Sequence, residues 1–134
     1  MLQPDWLDPR DIDEIVAQLA VAFPSHLIRP LAAKQNDLLS GLDRPCQRFA
    51  YGGDGDLLNL AAEYVFGITK AHAFADGNKR VALHAALVFL SRNYVTIDEP
   101  VPGYLDLPIR RLVTNELSVE QLGAILREHA RFLV

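Results

Sequence analysis

Cysteine is nearly absent from this chain of 134 residues. The single Cys46 rules out an intrachain disulfide, which suits a reducing compartment. Long apolar runs are missing as well. The longest, Val81 to Leu90, is interrupted by His84 and falls well short of the roughly 18 residues a membrane helix needs. Positive charge is in short supply: 13 Lys and Arg face 17 Asp and Glu, a formal charge of −4. An extended nucleic-acid surface is usually basic, so direct nucleic-acid binding is not expected. At the amino terminus Leu2, Trp6 and Leu7 are broken up by Asp5, Asp8 and Pro9, unlike the apolar core of a signal peptide. Together these features predict a cytoplasmic chain that does not engage a membrane.

Half the residues are hydrophobic and 22% are charged, the balance of a folded domain. The length suits one domain, residues 1–134, with one core. Asp8 and Pro9 predict a helix start, followed by Ile12, Ile15, Val16 and Leu19 at helical spacing up to Phe23-Pro24. Leu31 to Leu42 predicts a short second helix. From Arg44 to Asp56 the chain contains Pro45, Gly52, Gly53 and Gly55, which predicts a turn-rich flap segment with an extended piece at Gln47, Phe49 and Tyr51. Asp56 then caps a helix ending near His72, and another runs from Asn78 to about Asn93. The latter is apolar on nearly every side and is expected to be the buried core helix. Two more helices are predicted at about 105–115 and 119–132, the last opened by a Ser118–Gln121 capping box. The fold class is therefore all-α: a compact helical domain with a buried central helix hairpin and a short flap segment.

Between the two central helices lies His72-Ala73-Phe74-Ala75-Asp76-Gly77-Asn78-Lys79-Arg80. Two cations at a helix start oppose the macrodipole at a cost of roughly 0.3–1 kcal/mol each. Such local violations mark functional sites. A bound anion resolves the conflict, because unpaired amides at a helix start bind phosphate and Lys79 and Arg80 add charge. Gly77 lets the backbone adopt positive φ and form a concave row of amides. Asp76 is a candidate ligand for Mg²⁺, which takes one or two carboxylates plus phosphate oxygens and water. His72 is a candidate general base, since imidazoles titrate near neutrality. Taken singly each has an ordinary reading: Asp76 as an N-cap, His72 as a helix-end residue, Lys79 and Arg80 as solvated charges. Their conjunction within nine residues points to one site for phosphoryl transfer, which depends on positioning, metal and cationic stabilisation.

The stretch resembles the signature H-x-F-x-D-G-N-x-R of the Fic superfamily, and Asn78-Lys79-Arg80 is similar to its death-on-curing (Doc) branch. Similarity extends through about residues 37–98, including Leu60 to Thr69 and Ala85 to Asn93. The resemblance implies that His72 is the base, Asp76 the metal ligand, and Gly77, Asn78, Lys79 and Arg80 the nucleotide-phosphate site, with the Asn78 side chain orienting phosphate. It further implies ATP and Mg²⁺ as cofactors and transfer of the γ-phosphate to a protein hydroxyl. The family's target is translation elongation factor Tu, and its toxins are neutralised by a small Phd-like antitoxin that folds along a groove. Two departures stand out. Gly77 occupies a position where Doc members can have Ala, and Pro24-Ser25-His26-Leu27-Ile28-Arg29-Pro30 replaces a glycine-rich pattern. Fic enzymes that restrain themselves carry a helix motif in which Glu precedes Gly or Asn. No Glu here is followed by either, so restraint is expected from another chain. Rival readings are adenylylation of a protein hydroxyl, favoured by Gly77 and disfavoured by Lys79, a catalytically silent binding module, and, most weakly, a metal hydrolase adding His84 or His129.

Overall fold

The computed structural model describes residues 2–133, and its first helix follows the capping logic of the sequence. Helix α1 (Pro9–Ala22) starts with Pro9 at its first position, and Asp8 and Asp11 close a reciprocal capping box. Its buried face is Ile12, Ile15, Val16 and Leu19. Residues 23–31 then cross the molecule irregularly and lead through a short 3₁₀ turn, Ala32–Lys34, into α2 (Gln35–Gly52).

This second helix corrects the expected flap over Arg44 to Asp56. The chain stays helical through Pro45 to Gly52 and turns only at Gly53, which is left-handed at φ 67. An internal proline breaks most helices, because its missing N–H orphans the carbonyl four residues back and its ring crowds that carbonyl. Here that carbonyl belongs to Gly41, and it lies against the backbone of Gly67 on the neighbouring helix: a Cβ on Gly67 would sit 2.3 Å from it. Arg44 and Arg48, one turn apart, reinforce the helix by donating to Glu63 at 3.2 and 3.1 Å. Glu63 is buried, so the two guanidinium groups are what make its charge tolerable there. Arg48 also reaches Asp54 at 2.8 Å and Glu120 at 2.9 Å, tying three elements together.

Helix α3 (Leu57–Ala71) is capped by Asp56, whose Oδ1 accepts from the Leu58 and Asn59 amides. It is the true centre of the core. Leu58, Leu60, Ala61, Ala62, Tyr64, Val65, Ile68 and Ala71 are all buried, and α2, α4 (Asn78–Arg92), α5 (Asp106–Val113) and α6 (Val119–Glu128) surround it. The expectation that α4 would hold this place is only half right. Val81, Ala82, Ala85, Ala86, Phe89 and Leu90 are buried, whereas Leu83, Leu87 and Val88 are half-exposed and His84 is exposed. Apolar residues all round α4 thus reflect a helix covered by α1 and α3 but not enclosed. Tyr64 joins the two central helices to the amino-terminal segment, packing on Phe89 at 4.9 Å and accepting the Leu7 amide at 3.0 Å.

The Ser118–Gln121 capping box opens α6 as expected. The helix then stops at Glu128 instead of reaching 132. Ala130–Phe132 form β2, paired antiparallel with β1 (Val95–Ile97), Val95 opposite Phe132. No helix among the described residues is long and apolar enough to cross a membrane.

Candidate active site

The turn joining α3 to α4 is built by backbone constraints at both ends. α3 closes on His72, which adopts the left-handed conformation at φ 48, ψ 43. That cap position normally takes glycine or asparagine, and a non-glycine residue there costs on the order of 1–2 kcal/mol. Tyr94 and Asn115 share the conformation, so strain alone does not single His72 out. Its placement does: the exposed imidazole lines a cleft of about 330 Å³ together with Asp76, Gly77, Asn78, Lys79 and Arg80. All six residues of the motif expected to act are therefore brought to one opening.

Phe74 anchors the turn. Its ring is 3% exposed, and both of its peptide groups are taken by the Asn78 side chain: the Phe74 amide donates to Oδ1 at 3.2 Å, and Nδ2 donates to the Phe74 carbonyl at 2.9 Å. The Asn78 carboxamide thus braces the loop, its oxygen and nitrogen both engaged by the Phe74 backbone. What Asn78 offers an anion is its backbone N–H. The first helical bond of α4 runs from the Val81 amide to the Gly77 carbonyl at 2.9 Å, so the amides of Asn78, Lys79 and Arg80 precede it and find no backbone acceptor among the described residues. From the other side, residues 29–31 lie along the loop. The Leu31 amide donates to Ala73 at 2.7 Å and the Ala75 amide to Arg29 at 2.9 Å, making a bridge centred on Pro30 and Phe74. This segment, and not residues 44–56, borders the site.

Gly77 is required here on two counts. Its φ is 79, and a Cβ would lie 2.9 Å from Cγ1 of Ile28 in the overlying segment. Gly77→Ala is expected to lower stability by about 1–3 kcal/mol, through left-handed strain and a forced shift of Ile28. Urea unfolding of the variant measures it; an unchanged midpoint would show that the turn accommodates a side chain.

Asp76 is exposed, and its carboxylate is held by two donors. The Gly77 amide donates to Oδ1 at 2.7 Å, and His26 Nδ1 lies 3.1 Å from Oδ2. His26, and then the Gly77 amide, keep the carboxyl below the usual carboxylate range, so it is ionised at neutral pH. Among the described residues no three His, Cys, Asp or Glu converge to hold a metal by themselves. A lone ionised carboxylate beside a row of amides and two cations fits Mg²⁺ only in company with substrate phosphates, which is the usual mode for that ion.

Arg80 resolves its unfavourable helix position in a way the sequence did not suggest. Its guanidinium stacks over the Phe23 ring, 3.8 Å from the centroid, leaving its N–H edge for an anion. Lys79 is exposed. Both cations also border an adjoining cleft of about 410 Å³, walled by α4 and α5. His26 and Phe23 were missed because a single histidine and phenylalanine in a proline-bounded loop carry no periodic signal. The hydrogen bond from His26 to Asp76 reveals the one, and the stack of Arg80 on Phe23 the other.

A helical domain whose two central helices meet at a cationic, amide-lined turn bearing a carboxylate and an imidazole defines the class. The profile of the Fic/DOC family matches residues 6–90, from before α1 through nearly all of α4, and the chain belongs to that family. Over 80 residues it is 39% identical to "Protein kinase doc" of Escherichia phage P1, covering 60% of this chain and 62% of that protein. The match therefore spans less than two thirds of the relative's length.

Proposed function

We propose that this chain is the toxin of a toxin–antitoxin pair, a cytoplasmic Mg²⁺-dependent phosphotransferase that moves the γ-phosphate of ATP to a protein hydroxyl and so halts translation. The observation that carries this reading is the convergence of His72, Asp76, Lys79, Arg80 and the free amides of α4 on one cleft. The resemblance to the Doc branch and the 39% identity to a protein named as a kinase support it. His72 takes the proton of the acceptor hydroxyl. The freed oxygen bonds to the γ-phosphorus, the bond to the bridging oxygen breaks, and ADP departs with that electron pair. Lys79, Arg80 and the first-turn amides hold the phosphates, and Asp76 would hold Mg²⁺, which would supply positive charge against the transferring group. The protein substrate in this reading is elongation factor Tu, and the restraining partner a small Phd-like antitoxin.

Adenylylation is the second reading, and Gly77 was its sequence support. The φ of 79 and the close approach of Ile28 account for a glycine at this position without reference to the reaction, which removes that support. Incubation with elongation factor Tu and either α- or γ-labelled ATP tests the choice. Label from the γ position alone is expected; label from the α position would overturn the kinase reading.

Arg80→Ala and Lys79→Ala are each expected to weaken binding of a non-hydrolysable ATP analogue by about tenfold to a hundredfold, since a charge-assisted contact is worth about 1.5–3 kcal/mol. Calorimetric titration giving wild-type affinity in both would remove the phosphates from this end of α4.

A further inference from the structure

We propose that His26, outside the nine-residue motif, is a positioning residue that fixes the Asp76 carboxylate for the metal; this rests on the metal reading of Asp76. An exposed carboxylate on a surface turn is free to rotate. Here its side chain is 56% exposed, yet each oxygen is held by one donor: Oδ1 by the Gly77 amide, Oδ2 by His26 Nδ1. Because a carboxylate only accepts, Nδ1 carries the proton in this contact. Each oxygen keeps a lone pair for a cation, and the plane of the carboxylate is set. Such support of a ligand by a neighbouring donor is what gives metal sites much of their affinity.

His26 is itself held. Its amide donates to the Phe23 carbonyl at 3.0 Å, and its ring meets the Phe23 ring edge-on, centroids 6.1 Å apart. The same Phe23 ring lies beneath the Arg80 guanidinium. One aromatic residue at the end of α1 thus locates both a carboxylate, through His26, and a cation of the cleft. A hydrogen bond this exposed adds little to stability, so its consequence lies in geometry.

The test is titration of Mn²⁺, followed by its electron paramagnetic resonance signal, into the full chain with a non-hydrolysable ATP analogue present. His26→Ala is expected to bind Mn²⁺ about tenfold more weakly, the lower end of what loss of an outer-shell partner costs. His26→Asn, whose amide N–H reaches where Nδ1 does, is expected to recover most of that loss. Wild-type affinity in His26→Ala alongside loss in Asp76→Asn would overturn the role of His26 alone. Equal weakening in His26→Asn and His26→Ala would also overturn it, because the donor would not be the feature that matters. Unchanged affinity in Asp76→Asn would overturn the metal reading and this inference with it.

Discussion

Replacing His72 with alanine is expected to lower phosphate transfer by at least a hundredfold while leaving the affinity for ATP almost unchanged. General bases contribute about 10²–10⁴-fold, and the other imidazole of the cleft, His26, is engaged with Asp76. A base acts on the acceptor hydroxyl, so its loss should leave the proposed contacts of Lys79, Arg80 and the α4 amides with the phosphates in place. Folding should be little affected as well. The exposed side chain contributes no packing, and the left-handed backbone at φ 48, which histidine adopts more readily than alanine, adds only a small strain to the variant. Single-turnover transfer from γ-labelled ATP, paired with analogue binding and thermal unfolding, separates the three quantities. Retention of more than about a tenth of the wild-type rate would remove His72 as the base.

The largest effect on stability is expected from a methyl group placed between α2 and α3. At Gly67 an added Cβ would sit 2.3 Å from the Gly41 carbonyl oxygen, and at Gly41 it would sit 2.4 Å from the Gly67 carbonyl oxygen. Both obstacles are backbone, so no side chain can swing aside. The helices must separate, and with them the Arg44–Glu63 and Arg48–Glu63 pairs that cross the same interface. Overpacking of this kind costs about 1–3 kcal/mol where side chains can yield, and this site belongs at or above the top of that range. Gly67→Ala should therefore lower Tm by about 10 °C, taking some 3–4 °C per kcal/mol for a chain this size. A drop of only a degree or two in thermal unfolding would show that the two backbones can part cheaply.

The sequence made α1, α3 and the start of α6 legible because each announces itself by a cap and a period, at Asp8-Pro9, Asp56, and Ser118 with Gln121, whereas α4, which has no side-chain cap, was legible from its apolar run alone. The carboxy-terminal half of α2 was hidden by two misleading signals. Pro45 reads as a breaker until the Gly41 carbonyl is seen packed on α3, and Gln47, Phe49 and Tyr51 alternate like a strand although Tyr51 is 88% exposed. The spacing of Arg44 and Arg48 was the helical signal to follow. The end of α6 was hidden because Ala130–Phe132 are strand only by virtue of β1, a partner about 35 residues away that local pattern does not identify. In the candidate site the motif itself was readable. What borders it was not, since His26, Ile28 and Arg29 reach the motif by tertiary contact alone.

The turn between α3 and α4 is laced on two sides: by the Asn78 carboxamide on Phe74, and by the crossing segment, whose Leu31 amide donates to the Ala73 carbonyl and whose Arg29 carbonyl accepts from the Ala75 amide. Its shape is therefore fixed when the chain folds, and the entropy of ordering it is charged to folding and not to the arrival of a ligand. A loop stitched in this way has no slack conformation to fall back into. Silencing it by disorder would mean tearing α1's trailing segment from the core, whereas a strand or helix laid across the opening would need to break nothing. The economical brake for such a molecule is a cover, not a latch.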